Sequence, residues 1–191
     1  MVLPLDTAPG PSPDDEAVRN MEISHNFLLQ AREELAKEDL LQASNKAWGA
    51  AAYAIKAVAE KRRWFNDADW KLWEAASVVT EEEGDHSILA GYSAARQAHY
   101  DFYHHEFLAM DVRQILDITE GMVAKLDALL ERDIPPVYVS EELDGRIRRL
   151  QNPTSAMDQE RLTTGRKPMS ERPPALPPNS ADTTRRDAEN S

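Results

Sequence analysis

Arg96, His99, Tyr103, His104 and Glu106 lie within eleven residues of one another and have side chains that can move a proton or hold an anion. At about 100° per residue, Tyr92, Arg96, His99, Tyr103 and Glu106 share one face of a helix, together with Ala95, Phe102 and Met110. That face is the richest in apolar residues on this stretch, so its three charged or titratable groups are expected inside. Buried charge is costly unless paired, and Arg96, His99 and Glu106 should therefore contact one another or a partner. Read as chemistry, this is a small polar pocket in which His99 acts as acid or base, Arg96 holds an anion and Glu106 orients one of them. Read as architecture, it is an Arg–Glu–His network that sets helix register or a dimer contact. His104 points away from this face and, with His105, Tyr100 and Asp101, reads as a surface residue.

Metal chemistry has less support. Glu22-x-x-His25 and Asp101-x-x-His104 each put an acid and a histidine on one helix side, as di-iron carboxylate bundles require. Such sites also need a carboxylate from each of two further helices, and the stretch 40–62 offers only Glu60, near its end. No metal site is expected. The chain has no Cys, so disulfides, thiolate zinc sites and cysteine nucleophiles are excluded. No Gly-rich phosphate loop, Gly-x-Ser-x-Gly elbow or His-Glu-x-x-His motif occurs, and no cofactor is expected.

The elements that position these residues are helical throughout. Asp39–Trp64 is the organising stretch. Asp39 is suited to cap a helix with Gln42 three residues on, and Ala43, Ala47, Ala50, Ala54 and Ala57 form a stripe at 3- and 4-residue spacing. Small side chains there let other helices come close, and Gly49 reads as one such close contact. Before it, a helix opening at Asp14 or Asp15 should run to Lys37–Glu38, and the very short connection makes the two antiparallel neighbours or segments around a sharp corner. After it, Asn66 or Asp67 should cap a helix 68–82, with Trp70, Trp73, Ala76, Ser77 and Thr80 on one side and Gly84 as its stop. Its acidic end, Glu81–Glu83, opposes the helix dipole. Asp85 caps the next helix, roughly 86–108. The region 86–132 contains no Pro, but a single helix of that length would be ~70 Å long, so Asp111, with Gln114, should cap a separate helix 112–132 that ends before Pro135–Pro136. Ser140 should cap a short helix 141–150 that packs back on the bundle or on a partner subunit through Leu143, Ile147 and Leu150.

These readings give an all-α, up-and-down bundle of four to five helices with a disordered C-terminal tail. Residues 1–13 are expected to be a flexible arm, 14–132 the bundle, 133–150 a linker with a short helix, and 151–191 a disordered Pro-rich tail. Net charge is −12, and the excess is local: residues 1–136 hold 13 Lys/Arg against 25 Asp/Glu, whereas residues 137–191 are balanced. An acidic bundle repels phosphate backbones and disfavours broad nucleic-acid binding. No apolar run is long enough to span a membrane and the N-terminus carries no secretory pattern, so the expected location is cytoplasmic.

The pattern Glu34-Leu35-x-x-x-Asp39-Leu40-x-Gln42-Ala43-x-x-Lys46-Ala47-Trp48-x-Ala50-Ala51, followed by Ala98-His99-Tyr100-Asp101-Phe102-Tyr103, resembles HEPN-type helical domains. Within that group it is similar to the branch called PaREP1, over about 25–132. The resemblance implies a bundle of four or five helices that commonly dimerises, and it implies no single activity. Many HEPN proteins are metal-independent RNases whose signature is Arg, a polar residue, then His, with four to six residues between Arg and His. Here Arg96-Gln97 opens such a pattern, but Asp101, Phe102 and Tyr103 occupy the permitted positions; His99 comes too early, and His104 and His105 too late. The leading expectation is therefore a non-catalytic HEPN-like module, a homodimer that binds a partner protein or a small ligand. The alternative is a ribonuclease, of toxin–antitoxin type, using Arg96 with His99 or His104.

Overall fold

A computed structural model describes residues 12–101, 108–132 and 140–152. Within them the chain forms six helices and no strand: α1 (Pro13–Ala36), α2 (Leu40–Lys61), α3 (Asp69–Glu83), α4 (His86–Asp101), α5 (Ala109–Leu130) and α6 (Glu141–Leu150). The all-α bundle expected from the sequence is what is observed. The tail from 153 onward lies outside the described residues, as do 102–107.

The short corners come from one repeated device. At the ends of α1, α2 and α3 a residue in the left-handed region closes the last turn: Glu38 (φ 62°), Arg63 (φ 56°) and Gly84 (φ 64°). The next residue then donates its amide to the carbonyl five residues back, Asp39 to Glu34, Trp64 to Ala59 and Asp85 to Thr80. Asp39 and Asp85 go on to serve the following helix. The Asp39 carboxylate accepts from the Gln42 amide at 3.0 Å, and that of Asp85 from the Ser87 amide at 3.0 Å. One aspartate thus ends a helix and starts another, which is why α1 and α2 turn in three residues.

Three helix starts differ from expectation. α1 begins at Pro13, not at Asp14 or Asp15, because Ser12 caps it, accepting from the Asp15 amide at 3.2 Å while the Asp15 carboxylate returns the bond to the Ser12 amide. Pro at the first position is already preset for a helix. The cap of α3 is Ala68, which has no side-chain acceptor. Asn66 instead donates to Glu60 at 2.7 Å, and Asp67 accepts from Lys71 at 2.8 Å. α5 does start afresh, but three residues early: Asp111 lies inside its first turn and accepts from the Leu108 amide at 2.9 Å. A carboxylate three residues into a helix serves the amide at the cap as well as one at the cap serves the amide three residues on.

α1, α2, α4 and α5 form a closed antiparallel ring. Ser24 donates to the Ala50 carbonyl at 2.8 Å between α1 and α2, and Arg32 of α1 reaches Asp117 and Glu120 of α5, both at 2.6 Å. His25, further up α1, meets Asp127, further down α5, at 3.4 Å. α2 touches α1, α3, α4 and α5, and its alanine stripe at 43, 47, 50, 54 and 57 is fully buried. Gly49 is the expected close contact: a Cβ there would stand 3.1 Å from the Phe27 ring. α3 lies outside the ring against α4 and α6. Covered on two sides, it buries Leu72, Ala75, Val78 and Val79 besides Ala76 and Thr80 of the expected side, whose Trp70, Trp73 and Ser77 are half-buried.

α6 is capped by Ser140 as expected and buries Leu143, Ile147 and Leu150. The Phe65 amide donates to the Leu150 carbonyl at 2.8 Å and ties its end to the α2–α3 connection. The three acids that close α3 do not simply oppose its dipole. Each has an arginine from a different place: Glu81 pairs with Arg146, Glu82 with Arg62 and Glu83 with Arg132. No described helix is long and apolar enough to cross a membrane.

Candidate functional site

The candidate site is built where α2, α3 and the end of α4 meet. Trp48 of α2 and His99 of α4 face each other with ring centroids 5.8 Å apart and planes inclined by 21°. Asn45, one turn before Trp48, holds the imidazole: its Oδ1 lies 3.0 Å from His99 Nδ1. A neutral ring that donates from Nδ1 to this oxygen keeps Nε2 as an acceptor. Trp48 also packs at 5.3 Å on Tyr92, whose hydroxyl is buried with no hydrogen-bond partner among the described residues. Burial raises the pKa of that phenol, so it stays protonated.

Arg96 stands one turn from Tyr92 and adjoins this group through Trp73, 6.0 Å from Tyr92, and Tyr100, 6.0 Å from His99. Its Nη2 donates to Asp69 of α3 at 2.8 Å and to the Tyr100 hydroxyl at 3.2 Å. The guanidinium lies over Trp73 at 5.3 Å and over Tyr100 at 5.1 Å. Burial works against its charge, but the Asp69 carboxylate more than offsets this and raises its pKa. Arg96 and His99, which share a helix face in the sequence, thus take their partners from different helices. The side chains of Tyr103, His104 and Glu106 lie outside the described residues.

Between Trp48 and Asp69 is a cavity of about 190 Å³. Its walls are Trp48, Gly49, Ala52 and Tyr53 of α2, Leu72 of α3, and Ala68 at the cap of α3. Four lining residues bring charge or hydrogen-bonding capacity: Lys56, Asn66, Asp69 and His99. The Lys56 ammonium sits 4.9 Å from the centre of the Tyr53 ring. Burial lowers its pKa, and Glu60, one turn on, opposes that only through space. Among the described residues no three His, Asp or Glu side chains converge as a metal site requires.

His99 makes the site sensitive to pH. Burial lowers its pKa from 6.5, with Asp69 opposing. The unfolded chain therefore takes up this proton near pH 6.5 and the folded chain only lower, so stability is full above that pH and falls as pH drops towards the folded value. Urea midpoints measured across this range should fall for the parent and fall less for His99→Gln.

A model of the archaeal PaREP1/PaREP8 family matches residues 19–123, a span that includes every site residue named above from Asn45 to Tyr100. The chain belongs to the PaREP1/PaREP8 family. No curated protein and no solved structure matches it. α6, with the arginines that hold Glu74 and Glu81, lies beyond the PaREP1/PaREP8 match.

Within this PaREP1/PaREP8 segment, Arg96 and His99 were legible as candidates from their helix face, whereas Asn45, Lys56, Asn66 and Asp69 were not. Lys56 did carry a signal. It is the one charged residue in the apolar run from Gly49 to Ala59, and a lone lysine there has to find either water or a ligand.

Proposed function

We propose that this PaREP1/PaREP8 protein is a non-catalytic, HEPN-like helical module that works as a homodimer and takes a small ligand between α2, α3 and α4. The observation that carries this reading is the cavity of about 190 Å³, which joins an aromatic wall, Trp48 and Tyr53, to convergent polar residues, Lys56, Asn66 and His99. Concave apolar sites with a few placed polar groups are where small ligands bind. The homodimer has support from α1, where Val18 and Leu29, three turns apart and thus on one face, are 59% and 64% exposed.

The ribonuclease reading has less behind it. Phosphate binding needs a guanidinium free to meet it, and Arg96 is engaged by Asp69 and held between two rings. The imidazole of His99 sits against Trp48 and Asn45, and no hydrogen bond joins it to Arg96 among the described residues.

Purified parent protein and Arg96→Ala, incubated with RNA in EDTA, test the reading. Neither should cleave, and the variant should melt at lower temperature because Asp69 loses its partner. Cleavage by the parent and not by the variant would overturn it and make Arg96 catalytic.

A further inference from the structure

We infer that the α2–α3–α4 cavity binds a small planar monocarboxylate, its ring against Trp48 and its carboxylate on Lys56. The inference rests on the small-ligand reading above and adds the ligand's chemistry.

Charge is the first argument. Of the two formal charges on the cavity lining, the negative one, Asp69, is met by Arg96 at 2.8 Å. The positive one, Lys56, has no carboxylate within ion-pair distance among the described residues; its ammonium lies over the face of Tyr53 at 4.9 Å, and Glu60, one turn on, acts on it only through space. Burial lowers the pKa of His99, with Asp69 opposing, so it adds no fixed charge to the lining. The cavity lining thus carries one positive charge with no ion-pair partner among the described residues, in a chain whose net charge is −12. One ammonium matches one carboxylate. A dianionic phosphate would bring a second charge with no partner into an acidic protein.

Size and shape are the second argument. A cavity of about 190 Å³ is smaller than the roughly 300–1,000 Å³ of drug-sized sites, so it matches a single ring better than a nucleotide or a larger coenzyme. Ala52 keeps the wall beside Trp48 low, and Leu72 lines the cavity from α3. A flat ring fits such a slot, gaining aromatic contact with Trp48 at one side while the carboxylate reaches Lys56.

Benzoate and its neutral isostere benzamide test this on the full-length ¹⁵N-labelled protein. The readout is the Trp48 indole N–H signal, assigned by its loss in Trp48→Phe. Benzoate should move that signal with affinity about tenfold or more above benzamide, the gain of one charge-assisted hydrogen bond. Lys56→Met should bring benzoate down to the benzamide level. Lys46→Met, whose ammonium lies over Phe27 and does not line the cavity, should leave the preference intact. Equal binding of both probes at Trp48, or equal loss in the Lys56 and Lys46 variants, would overturn the carboxylate assignment and leave the small-ligand reading in place. No movement of the Trp48 signal with either probe would overturn both.

Discussion

Arg62→Met is expected to destabilise the fold by about 3–5 kcal/mol, the cost of leaving a buried carboxylate without its counter-ion. Glu82 is the carboxylate. Its side chain is 2% exposed, that of Arg62 is 12% exposed, and the two meet where the cap of α2 crosses the end of α3. Nothing else relieves Glu82: its Oε1 has no hydrogen-bond partner among the described residues, and Glu83 beside it adds like charge. Burial raises the Glu82 pKa, with Arg62 pulling the other way. Removing Arg62 leaves burial and the Glu83 charge, which both raise it. A carboxyl whose folded pKa lies above its unfolded value stabilises the fold below the unfolded pKa, and that contribution is lost as pH rises through the folded one. The deficit of Arg62→Met should therefore shrink as pH is lowered into the acid range. Methionine keeps most of the packing on Trp64, over whose ring the guanidinium now lies at 5.0 Å, so the loss reports charge more than volume. The double variant Arg62→Met, Glu82→Leu should recover most of it, since replacing a buried pair by apolar side chains is often neutral or better. Urea midpoints at constant m-value measure both. A single-variant cost below about 1 kcal/mol would mean that water reaches the pair as it does at a surface ion pair.

Gly91→Ala and Gly121→Ala are expected to move stability in opposite directions, although they are the same chemical change on two helices that pack together. A Cβ at Gly91 would stand 2.7 Å from Met122 Cβ and 3.3 Å from the Ile118 carbonyl oxygen. Neither of those is the free end of a flexible side chain, so α4 and α5 must separate. Overpacking of this kind costs about 1–3 kcal/mol. Alanine's better helix propensity returns up to about 1 kcal/mol, which leaves a net loss. At Gly121, one residue from Met122, a Cβ meets nothing within 4 Å. There only the propensity acts, and the variant should gain about 0.5–1 kcal/mol. Thermal melting of the two variants beside the parent decides it. A gain at both positions would mean that the α4–α5 contact yields freely and that Gly91 is not what sets its distance.

The local devices of this fold were written in the sequence. Alanine at 3- and 4-residue spacing from 43 to 57 can only be a helix face that others approach, and all five side chains are buried. Asp39 and Ser140 cap where a small polar residue precedes a periodic run, because the free amides of a first turn need an acceptor nearby in the chain. The αL closure at Gly84 is of the same kind.

What the sequence left open was pairing between elements. Periodicity tells which face of α4 turns inward but not which helix meets it. Arg96 found Asp69, 27 residues earlier, and His99 found Asn45, 54 residues earlier. The three acids ending α3 looked unfavourable as a run, and only the arrival of Arg62, Arg132 and Arg146 from three other elements made them favourable. The cavity beside Lys56 is likewise a property of three helices together. Short-range rules of capping and periodicity act within a few residues and can be read one stretch at a time. Charge pairing and cavities depend on distances of a few ångströms between residues far apart in the chain, and those distances exist only once the helices have packed.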